Sequence, residues 1–445
     1  MINRSLCLAF LFCLVTSAGL HGQEVSPSPS SPTAIATPVP APDAALDPAV
    51  ATRAWLDTVP PNERARSNAY FEGGYWLLLW NFLLAVAISI FLLQTRISAR
   101  LRDFAERQTQ SKAFQVMLYA LLYFAIATLI GFPLEFYQGF VREHQYGMAT
   151  QTFGPWFSDE IKAFLVTLIA GSLALTILYA VFRRAPRSWP TWGTIVVIAL
   201  QIIGNFIAPI YVEPLFNTYK PLDDPKIRDP ILAMARANEI PVNKVLVVDA
   251  SRQTKRISAN VAGLFGTTRI ALNDNLLKQC TLPEIREVMA HEMGHYVLNH
   301  GAKLTLYFGI FAFVGLMLTR GAFERAVQKW GNRWGVRGIG DPAGLPLLAL
   351  ILLIYQFVIT PLTNTATRVT EREADQFGIN TCREPDGAAR IALKLSPYRK
   401  LDPGPIEEFI FFDHPSGRAR IRMAMDWKAA HLPCGSSDSS KPAAD

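Results

Sequence analysis

Thr281-Leu282-Pro283-Glu284-Ile285-Arg286-Glu287-Val288-Met289-Ala290-His291-Glu292-Met293-Gly294-His295 is the stretch from which the rest of the chain can be read. Thr281 with Glu284 forms a capping box, and Pro283 sits in the first turn, so a helix begins here with Ile285, Val288 and Met289 on its apolar face. His291 and His295 are four residues apart and share one face, so both imidazoles can reach one Zn²⁺ at about 2.0 to 2.1 Å. Glu292, one position on, sits beside such an ion, where its carboxylate can take a proton from water. A catalytic zinc needs a third protein ligand. His300 lies off the ligand face, and the spacing of a three-histidine motif fails at Leu298 and Gly301. The next concentrated carboxylates are in Glu371-Arg372-Glu373-Ala374-Asp375. Glu371 and Asp375 share a helical face, so one can ligate while the other supports, whereas Glu373 points elsewhere and reads as a solvated charge.

Outward from that helix the chain is greasy: 445 residues, half of them apolar, 18% charged, with a mean hydropathy of +0.20. Intrinsic disorder is excluded, and the apolar residues fall in blocks that read as membrane spans over residues 75–94, 113–133, 163–182, 192–210, 304–319 and 345–362. The fold class expected is therefore mainly α, a polytopic membrane protein with about six transmembrane helices. Its polar catalytic part carries a small sheet: Lys244–Val248, Arg256–Ala262 and Thr268–Leu272 read as strands, and Pro230–Asn238 as a short amphipathic helix. Residues 1–22 follow signal-peptide grammar. Residues 23–61 form a Pro-, Ser- and Ala-rich tract expected to be a flexible tether. Residues 62–212 then hold spans one to four, 213–303 a catalytic segment with the two histidines, 304–362 spans five and six, 363–430 a second catalytic segment, and 431–445 a disordered tail. The five cysteines form no CxxC pair, so neither a thiolate zinc site nor a disulfide scaffold is implied.

The net charge of +7 does not point to nucleic acid, because Lys and Arg excess in a membrane protein gathers in cytoplasmic loops. Loops 95–112, 183–190 and 320–342 carry five, three and five basic residues, against only Arg142, Arg64 and Arg66 near the opposite ends of the spans. The basic loops are expected in the cytoplasm and both catalytic segments on the extracytoplasmic side.

With these residues in place, the chain resembles the M48 zinc metallopeptidases, specifically the Ste24-type CAAX prenyl proteases. His291, Glu292, His295, Glu371, Ala374 and Asp375 match the family's H-E-x-x-H and distant E-x-x-A-D. Pro214-Leu215-Phe216-Asn217 to Pro221-Leu222 resembles its P-L-F-N-x-x-x-P-L segment, and His414-Pro415 with Arg420-Ile421 its closing motif. Ser251-Arg252 through Asn260-Val261-Ala262-Gly263 is similar to its substrate strand, although a tyrosine of the family pattern is missing here. Glu143 to Thr150 looks like a further family loop, matched less fully. The resemblance implies a zincin-like α+β protease domain with a single Zn²⁺, and it makes Glu371 the third ligand and Asp375 a supporting acid. It also implies that His414 stabilises the oxyanion, Arg420 orients Asp375, and Asn260 and Ala262 lie on the strand that binds the peptide.

The reading is a membrane-embedded zinc metalloendopeptidase that hydrolyses peptide bonds near the C-terminus of membrane-tethered substrates, prenylated ones included. Its partners are membrane lipids and a peptide or protein substrate, with no nucleic acid. Two alternatives are an HtpX-like quality-control protease of misfolded membrane or envelope proteins, and a non-catalytic zinc-containing scaffold or lipid carrier. The intact Glu292 position argues against the scaffold, since a structural zinc has no need of a general base.

Overall fold

The structure is a computed structural model and describes residues 46–263 and 268–431. The expected leader, residues 23–45 of the tether and the tail from residue 432 lie outside the described residues. The helices are α1 (Pro48–Asp57), α2 (Pro61–Gln94), α3 (Ile97–Gln108), α4 (Lys112–Phe136), α5 (Phe153–Arg184), α6 (Trp189–Ile207), α7 (Pro225–Ala237), α8 (Asp274–Gln279), α9 (Leu282–Val297), α10 (His300–Trp334), α11 (Leu345–Cys382), α12 (Pro385–Lys394), α13 (Pro405–Phe411) and α14 (Gly417–His431). The strands are β1 (Tyr219–Pro221), β2 (Val245–Val248), β3 (Ala259–Ala262) and β4 (Arg269–Asn273).

Among the described residues six helices are long and apolar enough to cross a bilayer, and each contains one of the expected spans: α2, α4, α5, α6, α10 and α11, with α4 and α6 running on into further helical turns. This is an integral membrane protein. Large apolar side chains stand exposed along these helices, among them Leu129, Ile169, Leu318 and Val358, as lipid-facing positions would. The inward faces close on Tyr119, Tyr179, Phe182 and Trp189. The helices outrun the apolar blocks. The fifth block of 16 residues sits inside the 35-residue α10, and α11 has 38 residues, about 57 Å at 1.5 Å per residue, against a hydrocarbon core of about 30 Å. The second catalytic segment is thus not separate from span six: α11 carries the span at its start and Glu371 to Asp375 near its end.

Strand order is β1-β2-β4-β3. β2 runs parallel to β4, with Val247 opposite Leu272, and β1 and β3 pair antiparallel at the two edges, with Asn260 opposite Ala271. The three expected strands form, and β1 is an addition. Ile257, Ile270 and Leu272 bury one side of this sheet against Ile285, Val288 and Met289 of α9, the apolar face expected of that helix. Glu284 accepts from Thr281 N at 2.6 Å, so the capping box closes as its sequence requires.

The tether needs correction. Its last part is α1, where Asp47 Oδ1 accepts from Ala49 N at 2.7 Å and Pro48 occupies the first turn. Trp55 and Leu56 of α1 are buried against Ile379, Leu393, Ile421 and Met425. Two large apolar side chains in ten residues were enough to seat a helix on the catalytic part.

Candidate active site

Two helices build the site. α9 presents His291 and His295 one turn apart, and α11 crosses it closely enough to lay Glu371 beside them. The crossing depends on glycine: a Cβ on Gly378 would lie 3.1 Å from His291 N, and one on Gly294 would lie 3.1 Å from Phe377 Cβ. His291, Glu292, His295 and Glu371 are all buried, at 1%, 1%, 4% and 5% exposure. A charged group is desolvated there only at a cost that a partner must offset.

The partner fits a metal ion. The Nε2 atoms of His291 and His295 are 3.1 Å apart. Oxygens of Glu371 lie 3.3 Å from His291 Nε2 and 3.5 Å from His295 Nε2. Three donors held at about 2.0 to 2.1 Å from a tetrahedral Zn²⁺ would stand roughly 3.3 Å apart, so the triangle has the dimensions the ion demands. These three residues are the one group of this kind among the described residues. Burial opposes charge on His291, but the carboxylates of Asp375 and Glu371 prevail and push its pKa up to about 10. Burial pushes His295 down to about 3, against the pull of Glu371. His295 is thus held in the neutral form that ligation needs, while the carboxylates hold positive charge at His291.

Each imidazole is held from behind. His291 Nδ1 is 2.9 Å from Asp375 Oδ1, and Asp375 Oδ2 is 3.0 Å from Arg420 Nε, charge contacts that lie outside hydrogen-bonding geometry. His295 Nδ1 is 2.9 Å from Nδ1 of His300, whose Nε2 is 3.0 Å from Glu373 Oε2, and Lys303 Nζ donates to the same oxygen at 2.7 Å. With His295 Nε2 turned to the ligand side, its proton sits on Nδ1 and donates to His300, which donates in turn to Glu373. His300, though off the ligand face, and Glu373, though 43% exposed, thus form a chain of contacts behind His295. Asn299 makes this possible: its left-handed φ of 55°, a conformation asparagine tolerates, turns the chain between α9 and α10 and brings His300 under His295.

His414 approaches from the loop after α13. Its Nε2 is 3.3 Å from Glu371 Oε2, outside hydrogen-bonding geometry, and its Nδ1 is 2.8 Å from Asp413 Oδ1. Burial, together with Arg399, keeps its pKa below the usual histidine value. Arg368, one turn before Glu371, ties this loop to α11 by donating to the carbonyls of Glu408 and Phe412.

β3 packs beside α9 and has no strand on its outer edge among the described residues. Asn260 Oδ1 is buried there without a hydrogen-bond partner, and Ala262 ends the strand. Arg256 fixes the approach to this strand, donating to Tyr70 Oη at 2.5 Å and to Glu143 Oε2 at 2.9 Å. His291, Glu292, His295, Glu371, Asp375, His414 and Arg420 thus meet in one place, with Asn260 and Ala262 on the neighbouring edge. Glu287 was not anticipated. It is buried one turn before His291, where Cys382 Sγ donates to it, and burial pushes its carboxyl up to about 7.

Residues 51–218, which hold four of the candidate spans, match the family model described as CAAX prenyl protease N-terminal, five membrane helices. Residues 221–428 match peptidase family M48. The chain is 26% identical to the uncharacterized metalloprotease YhfN of Bacillus subtilis, over 82% of this chain and 86% of that protein. It is 25% identical to CAAX prenyl protease 1 of Saccharomyces cerevisiae, over 71% and 73%, and 24% identical to the human CAAX prenyl protease 1 homolog, over 63% and 67%. The crystal structure of S. mikatae Ste24p superposes with a TM-score of 0.72 at 20% identity, covering 86% of this chain and 92% of that one, and shows the shared fold.

Proposed function

The chain belongs to peptidase family M48 and is a membrane metalloendopeptidase, and from that premise we propose that it is a zinc enzyme cutting membrane-tethered peptides near their C-terminus, prenylated ones among them. The observation that carries the reading is the triangle of His291 Nε2, His295 Nε2 and Glu371, sized for one zinc, with Glu292 on the same helix. Bound there, zinc supplies Lewis acidity that lowers the pKa of water and polarises a carbonyl.

The chain's own residues do the rest. β3 offers its free edge to an extended substrate, pairing with the peptide backbone at Asn260 and Ala262 without reading side chains. Glu292 removes the proton of the attacking water and returns it to the leaving amine. His414, its Nδ1–H held by Asp413, turns Nε2 to the site without a hydrogen-bond partner among the described residues, and once protonated there as well it donates to the oxyanion as the carbonyl becomes tetrahedral. Asp375 holds His291 and is held by Arg420. His300 and Glu373 hold His295 in the same way.

The substrate class draws on the relatives' printed names, CAAX prenyl protease 1, and on an apolar cavity of about 390 Å³ between α2, α4 and α5, lined by Leu84, Ile88, Phe132, Ile161 and Phe164. It has room and chemistry for part of a lipid chain. The excess of Lys and Arg in the loops at the opposite ends of the spans supports an extracytoplasmic side for these segments. The test is cleavage by the detergent-solubilised protein of a farnesylated peptide, the same peptide without its lipid, and casein. Preference for the farnesylated peptide supports the reading. Cleavage of casein with the lipid making no difference would overturn the prenyl specificity and favour general quality control.

A further inference from the structure

At the end of the helix bundle away from the zinc site lies a second polar cavity of about 310 Å³. It forms where three connections meet: Arg102 and Glu106 of α3 with Lys112 and Gln115 of α4, Arg183 at the end of α5, and Arg337 to Pro342 ahead of α11. Leu345 and Glu371 are about 39 Å apart along α11 at 1.5 Å per residue, so this is a separate place from the catalytic centre.

Its carboxylates are already engaged. Asp341 accepts from Arg102 Nη1 at 2.6 Å and from the backbone of Arg337 at 2.9 Å, while Glu106 takes the Arg337 guanidinium at 2.8 Å. Asp103, just behind, accepts from Arg102 at 2.7 Å. Two cations remain. Arg183, half-buried, makes no ion pair among the described residues, and Lys112 Nζ reaches only the amide oxygen of Gln115, at 3.1 Å. A concave site that balances two arginines and leaves two other cations without a counter-charge favours an anion. The level is that of the bilayer surface, because α5 ends here at Arg184 and the exposed Trp192 and Trp330 flank the same end, as interfacial tryptophans do.

We propose that this cavity binds the phosphate of an anionic phospholipid headgroup, contacted by Arg183 and Lys112, with the acyl chains lying on the lipid-facing helices. A free phosphate shares the chemistry but not the tails, so the two sources can be told apart.

The full chain in zwitterionic detergent is titrated with phosphatidylglycerol, phosphatidylcholine or inorganic phosphate while its thermal midpoint is followed. Phosphatidylglycerol alone should raise the midpoint. In Arg183→Gln/Lys112→Gln its apparent affinity should fall roughly thirtyfold, as expected for two cations beside an anionic headgroup, with peptidase activity in detergent unchanged. Arg325→Gln/Arg333→Gln removes the same charge from the same end outside the cavity and should behave as wild type. Equal effects of the two lipids would overturn the proposal, as would an unchanged affinity in the cavity variant or an equal loss in the control. Inorganic phosphate reproducing the full shift would make it a free-anion site instead. Should the double variant not fold, exposed Lys112→Gln alone should weaken binding about fivefold, and no weakening would overturn the proposal.

Discussion

Replacing His300 by alanine tests how the proposed zinc site is held. His300 is fully buried, and its Nδ1 is the acceptor 2.9 Å from His295 Nδ1. Without it the His295 N–H is left buried and unsatisfied in the orientation that ligation needs, a penalty of about 1 to 3 kcal/mol. That corresponds to roughly 5- to 150-fold in zinc affinity, the range in which supporting groups behind metal-bound histidines commonly act. The assay is zinc competition against a calibrated chelator, followed on the purified full chain, with the fold checked by thermal unfolding. His300→Gln keeps a side-chain carbonyl as acceptor and should recover part of the loss. Glu373→Gln should cost less, because that carboxylate is 43% exposed and the amide can still accept from His300. A His300→Ala protein that folds and binds zinc within about twofold of wild type would refute the chain of support from Glu373 to His295.

Other outcomes follow from named contacts. Glu292→Gln should retain zinc and lose about 10²- to 10⁴-fold in kcat, the range of a general base, measured on an unmodified peptide. His414→Ala should lower kcat about 10²- to 10³-fold with little change in KM, as loss of an oxyanion donor does. Trp55→Ala should destabilise the chain by about 3 to 5 kcal/mol, as a truncated core aromatic does, read as a lower Tm, with no change if α1 does not seat on α12 and α14. Glu287 has a folded pKa raised to about 7 from an ordinary 4.5. The folded state therefore holds a proton that the unfolded chain has lost, and the stability this contributes is complete below 4.5 and lost as pH rises through 7. Glu287→Gln should flatten the decline of Tm between these values and exceed wild type at alkaline pH. A wild-type slope that survives the substitution would refute it.

What the sequence made legible was what is written locally. The capping box at Thr281 and Glu284, the four-residue step from His291 to His295 and the six apolar blocks each carry their own periodicity, and each is found in place. Glu371 and Asp375 could be nominated because they share a face, and the family resemblance chose Glu371, but the crossing at Gly294 and Gly378 that lays it beside the histidines is revealed by no spacing. α1 escaped because its partners are Ile379, Leu393 and Ile421, more than three hundred residues away. β1 escaped because three residues hold no period and its register is set by β2. The largest miss was His300 and Glu373. Off the ligand face by helix geometry, His300 reaches His295 only because Asn299 turns left-handed, and Glu373 meets it from a helix 73 residues further on.

The central claim is that His291, His295 and Glu371 hold a zinc ion that works with Glu292. Its most direct test is zinc content and peptide cleavage measured together on wild type, Glu371→Ala and Glu292→Gln. Stoichiometric zinc in wild type and Glu292→Gln, its loss in Glu371→Ala, and cleavage by wild type alone are the expected results. A Glu371→Ala protein with full zinc and undiminished cleavage would contradict the claim.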